Sequence, residues 1–158
     1  FIIAKNIIRV LFVCSGNICR SPMAEAVFRH LVTQAGLANR FEIASAGLDD
    51  WHIGERPHHG TQSVLARNQI SLDAQKRAQR LTQADLNHHD YILAMDQENQ
   101  IGLSRYGQRA PRLLEFSPNK GPLNVPDPYY LNNFDEVYRL IWDGCQGLLA
   151  TIRQEENL

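Results

Sequence analysis

Cysteine is scarce in this sequence, three in 158 residues, with no C-x-x-C among them. A disulfide-stapled scaffold is therefore excluded, and three unpaired thiols fit a reducing, cytoplasmic setting. Excess charge is lacking too. The formal net charge is −1, which gives no bulk attraction to nucleic acid or to an anionic membrane surface. The six histidines show no ligand spacing with cysteine, so no metal or other cofactor is implied. No apolar run approaches membrane-spanning length, so membrane insertion is not expected. The apolar start, with Ile2, Ile3, Ile7 and Ile8, is broken by Lys5, Asn6 and Arg9 and lacks a small-residue cleavage site, unlike a signal peptide. Repeats, low-complexity tracts and linkers are also missing, so one domain over residues 1–158 is expected. At 44% hydrophobic and 21% charged residues the chain has a globular composition.

The stretch from Val10 to Pro22, V-L-F-V-C-S-G-N-I-C-R-S-P, is the informative one. Val10 to Val13 read as a buried strand. Ser21 reads as a helix N-cap, with Pro22 in the first turn. A strand, a short loop and a helix N-terminus form an anion cradle, because loop N–H groups and the helix dipole converge. Gly16 and Asn17 can take positive φ, which such a loop needs. Cys14 at its mouth would have its thiolate stabilised by the same field. Arg20 adds a planar fork for two phosphate oxygens, and Ser21 can donate to the Cys14 sulfur. A nucleophile beside an oxyanion receptor points to attack on a phosphate ester. An ordinary strand-to-helix turn over a buried cysteine is the plainer alternative.

The remaining pattern predicts strands over 7–13, 41–46, 91–95 and 112–116. Between them lie helices after Pro22, over 60–68 and from Asp96 to about Tyr106, with Thr82 and Asp85 as a capping box. Gly36 and Gly107 end helices. Ile70 to Leu81, with Lys76, Arg77 and Arg80, reads as a solvated surface. Ser117 to Leu131 reads as a loop and Phe134 onward as a long amphipathic helix, with Cys145 in its core stripe. Strands alternating with helices predict an α/β fold: a single-domain three-layer sandwich, its central four-stranded parallel sheet covered by helices on both faces.

Expelling an alkoxide or phenoxide needs a proton donor. Asp127 in V-P-D-P-Y-Y is the candidate, its carboxyl fixed by prolines on both sides. Ligands in open parallel sheets sit beyond the carboxyl ends of the strands, where the Cys14 and Asp127 loops both open. Tyr129 and Tyr130 can wall such a cleft with a ring face, or pack against the final helix.

V-C-S-G-N-I-C-R-S-P together with D-P-Y-Y resembles the low-molecular-weight protein tyrosine phosphatases. The resemblance implies a two-step displacement, with Cys14 as nucleophile, Arg20 holding phosphate oxygens and Asp127 as general acid and then base. It implies a phosphate-binding loop of Ser15, Gly16, Asn17, Ile18, Cys19 and Ser21, with Ser45 as a partner of Asn17. Trp51 would form one pocket wall, unless it is a surface anchor, with Tyr129 and Tyr130 opposite. Cys19 would be a redox partner that shields Cys14 as a disulfide; a small buried residue under the loop is its other reading. Expected partners are phosphotyrosine proteins and inorganic phosphate, with the enzyme a monomer or weak dimer. Many family members carry a His within the segment equivalent to Ile70 to Leu81, supporting the loop Asn. This chain has none there, and Gln75 is the nearest substitute. His52 and Glu55 fall on the rim, where members differ. Two rivals remain. An arsenate reductase shares the C-x5-R loop but needs further relay cysteines, and only Cys145 lies downstream. A phosphotyrosine-binding module could dispense with Cys14 or Asp127.

Overall fold

The computed structural model describes residues 6–158, so Ile2 and Ile3 of the apolar start lie outside the described residues. Its centre is strand β1 (Ile8–Cys14), flanked by β2 (Phe41–Gly47) and β3 (Tyr91–Ala94) in the order β2-β1-β3. Both pairings are parallel, with Cys14 opposite Gly47 and Val13 opposite Ala94. The three strands therefore finish along one edge, where loops gather.

β1 is apolar on both faces because both are covered. Val10 and Phe12 enter one core with helices α1 (Arg20–Gln34), α2 (His59–Arg67) and α6 (Phe134–Glu156). Leu11 and Val13 enter a second core with Leu86 of α3 (Gln83–His88) and Leu103 of α4 (Gln97–Ser104). Phe28 of α1 meets Phe12 and Phe41 edge-on, each with centroids 5.6 Å apart, contacts worth about 0.5–1.5 kcal/mol beyond burial. α1 ends as the sequence predicts: Gly36 takes φ 73° and the Leu37 N–H reaches back to the Val32 carbonyl. The Thr82–Asp85 capping box is also formed.

Three expectations need correction. The sheet has three strands, not four. Arg112 makes one isolated parallel bridge to Ala94, then Leu113–Phe116 turns into a 3-10 helix. The preceding Pro111 has no N–H to give, and the Arg112 N–H is taken by Glu115 at 2.7 Å, so the ladder stops. Ile70 to Leu81 is a solvated surface only in part. Arg77 and Arg80 are exposed as expected, but Ile70, Ala78 and Leu81 are buried, as is Lys76. The Gly47 N–H donates to the Gln79 carbonyl and the Leu81 N–H to the Gly47 carbonyl, laying the segment along the end of β2. Third, the Ser117–Leu131 loop closes in a single helical turn, α5 (Pro128–Leu131), with Asp127 as its N-cap.

Candidate active site

The loop from Cys14 to Arg20 wraps around one point because its carbonyls are held from outside. The Cys14 carbonyl accepts from Leu48 N–H and the Ser15 carbonyl from Asp49 N–H, both at 3.0 Å. The Ile18 carbonyl accepts from His58 N–H at 2.7 Å, and the Cys19 carbonyl from the Thr61 hydroxyl at 3.1 Å. Among the described residues, none of the backbone N–H groups from Ser15 to Arg20 has an acceptor. A concave row of free N–H groups at the start of a helix is an anion receptor.

Asn17 makes the turn, at φ 58°; Gly16 keeps a negative φ, contrary to expectation. A Cβ at Gly16 would lie 2.9 Å from the His52 ring, which would have to turn aside. Gly47 is required for space: its Cβ would meet the Ser15 carbonyl oxygen at 2.9 Å. The helix begins one residue before Ser21, so Ser21 is not the N-cap. Cys19 holds that position without a side-chain bond, and Ser21 turns inward.

Ser21 Oγ lies 2.9 Å from Cys14 Sγ and accepts from Asn17 Nδ2 at 2.8 Å. Asn17 Nδ2 also donates to Ser45 Oγ at 3.0 Å, while its Oδ1 accepts the Gln79 N–H at 3.0 Å. The Ser45 hydroxyl donates to Glu25 Oε1 at 2.6 Å. Cys14, Asn17, Ser21, Glu25 and Ser45 are all buried. Gln75 takes no part; its N–H goes to Asp73 Oδ1. Gln79 supports the loop Asn in its place.

Arg20, 2% exposed, donates through Nη1 to Asp96 Oδ2 at 2.5 Å and to the Val125 carbonyl at 3.0 Å. Its Nη2 lies 3.6 Å from Asp127 Oδ2. Burial works against the guanidinium charge. Cys14, Asp96 and Asp127 outweigh it, so the group is held above its ordinary value. Val125 N–H donates to the Met95 carbonyl, which anchors the Asp127 loop to the sheet edge. Asp127 Oδ1 accepts the Tyr129 N–H at 3.1 Å, leaving Oδ2 toward Arg20.

Cys14, Ser15, Gly16, Ile18, Cys19 and Arg20 line a cleft of about 280 Å³; Asn17, Ser21 and Ser45 lie behind it. Trp51, His52, Asp127, Tyr129 and Tyr130 form its walls. Trp51 and Tyr130 are more than 70% exposed, so neither is packed away as an anchor. The Tyr129 ring stands between His52 and His58, at 5.6 and 5.9 Å. Cys14, Cys19 and Cys145 are all free thiols. Burial foremost, then the neighbouring Cys14, pushes the Cys19 thiol well above its usual range. Among the described residues no cluster of three or more His, Cys, Asp or Glu could hold a metal ion, and no helix is long and apolar enough to cross a membrane.

The sequence reading missed Asp96, Glu25, Lys76, Gln79 and Asn99, whose Nδ2 reaches Ser15 Oγ at 3.3 Å. Asp96 alone carried a signal, an acidic residue just past the carboxyl end of a strand.

A parallel sheet whose central strand ends in a buried thiol, followed by a loop with the geometry of an anion receptor, defines an α/β protein with a cysteine at its candidate site. The chain belongs to the low molecular weight phosphotyrosine protein phosphatase family, whose model matches residues 9–158. It is 48% identical over 157 residues to the low molecular weight protein-tyrosine-phosphatase YfkJ of Bacillus subtilis, covering 96% of this chain and 99% of that one. It is 42% identical over 156 residues to PtpA of Staphylococcus epidermidis, covering 96% and 97%. The crystal structure of YfkJ superposes with a TM-score of 0.91 over 95% of this chain and 97% of that one, at 47% identity. DARP, a Drosophila arginine phosphatase, gives a TM-score of 0.84 at 30% identity over 91% and 97%.

Proposed function

We propose that this protein is a protein tyrosine phosphatase, hydrolysing aryl phosphate monoesters through a phosphocysteine intermediate. One observation carries the reading: the Cys14 sulfur sits in the same loop as a run of N–H groups with no acceptor among the described residues, with Arg20 beside them.

The Cys14 thiolate attacks phosphorus in line with the leaving oxygen. An S–P bond forms as the P–O bond to the aryl group breaks. Loop N–H groups and the Arg20 guanidinium receive the equatorial oxygens as charge shifts. Asp127 enters this step protonated and gives its proton to the leaving phenoxide. Water then attacks the phosphocysteine, Asp127 takes a proton from it, and the S–P bond breaks to release inorganic phosphate. Ser21 is placed to donate to the departing sulfur. Trp51 and Tyr129 offer ring faces to a planar phenyl group, which favours phosphotyrosine proteins as substrates. Cys19, in the same loop, is the partner we assign to an oxidised Cys14. The two cores on either side of β1 support a single-domain, three-layer sandwich. The free thiols fit the cytoplasm. Arsenate reduction is disfavoured because Cys145, the downstream cysteine, is buried and lies outside the cleft.

The test compares phosphotyrosine, phosphoserine and phosphoarginine peptides, with arsenate plus a thiol donor alongside. Phosphotyrosine should be hydrolysed fastest. Cys14→Ser should end turnover while phosphate still binds. Preference for phosphoarginine would move the reading to an arginine phosphatase, and turnover by Cys14→Ser would remove the thiolate nucleophile.

A further inference from the structure

Lys76 is an ammonium where none was expected. It is 9% exposed, donates to the Ser45 carbonyl at 3.0 Å and lies 3.5 Å from Glu25 Oε1. Burying an ammonium costs several kcal/mol unless it is well paired, so a free surface lysine would be the cheaper choice at this position. The backbone around it is held in place. Arg56 Nη1 clamps the Asp73 and Lys76 carbonyls, and Ala78 pairs with Gly54 and Glu55 of the cleft-wall loop. The charged groups around the ammonium are Glu25 and, on that carboxylate's other oxygen at 2.8 Å, Arg29, both from α1. On its own segment, Asp73 is turned to the Gln75 N–H; Arg56, from the cleft-wall loop, bonds the Asp73 and Lys76 carbonyls.

The direction of each hydrogen bond from Glu25 inward is fixed by what Glu25 is. An ionised carboxylate only accepts, so the Ser45 proton points to it. Ser45 Oγ must then accept, and does, from Asn17 Nδ2. The Gln79 N–H on Asn17 Oδ1 fixes the amide the same way round. The second Asn17 amide proton goes to Ser21 Oγ. The Ser21 proton has no other acceptor among the described residues, so it is directed at Cys14 Sγ. A protonated Glu25 could donate to Ser45 instead, which would free the Ser45 proton and leave the Gln79 N–H alone to hold the Asn17 amide in this orientation.

We propose that Lys76 is a positioning residue for the reaction: paired with Glu25, it keeps the Glu25–Ser45–Asn17–Ser21 chain polarised so that the Ser21 hydroxyl donates to the Cys14 sulfur. The proposal rests on the phosphatase reading above. The family resemblance leads one to expect an imidazole in this segment. An imidazole ordinarily titrates near neutrality, so a histidine in this place would carry the charge only on the acid side.

The test uses Lys76→Met, which keeps the stem and loses the charge, and Lys76→His. In Lys76→Met, kcat for p-nitrophenyl phosphate should fall about tenfold. Alkylation of Cys14 by iodoacetamide, followed by mass spectrometry, should slow by a similar factor in mildly acid buffer and match wild type in strongly alkaline buffer. In Lys76→His, kcat should recover in part and gain a new fall as pH rises through neutrality. A Lys76→Met protein with wild-type kcat and alkylation overturns the proposal. So does one with a lower melting temperature and unaltered alkylation, which marks a purely structural lysine. Should Lys76→Met fail to fold, a Lys76→His pH profile without the new fall overturns it. A wild-type protein that hydrolyses no aryl phosphate overturns the phosphatase reading and this proposal together, while an active wild type beside an unaltered Lys76→Met overturns this proposal alone.

Discussion

The Asp96 carboxylate holds the Arg20 guanidinium through Oδ2 at 2.5 Å and, through Oδ1, caps α4 by accepting the Asn99 N–H at 2.8 Å. One side chain therefore orients the cleft-lining arginine and starts a helix behind it. The two jobs separate in Asp96→Asn. Asparagine remains a good N-cap, so the melting temperature should change little. A neutral amide holds a guanidinium less firmly than a carboxylate does. We expect kcat/KM to fall about tenfold, with inorganic phosphate inhibiting more weakly. Steady-state kinetics with phosphate as inhibitor checks this; unchanged inhibition would mean that Arg20 is oriented without Asp96.

Asp127→Asn makes a sharper separation. The amide oxygen can still take the Tyr129 N–H now held by Oδ1, but the side chain has no proton to give. Aryl phosphates with poor leaving groups should slow by about a hundredfold or more. Those with strongly electron-withdrawing rings should slow far less, since they leave without help. A plot of rate against leaving-group acidity reads the difference, and equal losses across the series would exclude Asp127 as the acid.

The loop at the base of the cleft was legible because its residues are local in sequence: Cys14, Arg20 and Ser21 fall within one strand-to-helix turn. Strand β1 was legible because a two-sided apolar run has few other uses. The last strand misled for the opposite reason. Leu113 and Leu114 are buried, yet pairing is decided by where backbone N–H groups go, and Glu115 takes the one that matters. Lys76 was illegible because a lysine amid arginines reads as solvent-facing. Only the fold shows that Glu25, on α1, waits for it. Gln79 rather than Gln75 supports Asn17 because the segment runs beside β2, a placement the pattern alone does not fix.

His58 links stability to acidity. Its Nδ1 accepts the Gly60 N–H at 3.0 Å, capping α2 in a way only the neutral ring allows. Its ring stacks on Phe134 at 5.0 Å and on His59 at 4.2 Å. Burial first, then the charges of His59 and His52, lowers its pKa below the usual 6.5. The unfolded chain therefore takes up this proton before the folded one does. Stability from the neutral ring is fully present above 6.5 and is lost as pH falls through the lower folded value. His58 also donates its backbone N–H to the Ile18 carbonyl of the cleft-lining loop, so the acid loss should reach the site. We expect the melting temperature to drop between about pH 7 and pH 5. His58→Asn, which can cap α2 without titrating, should flatten that drop. Thermal melts of both proteins across the range, with phosphate binding measured at each pH, decide the matter. The same slope in both would assign the acid sensitivity to another group.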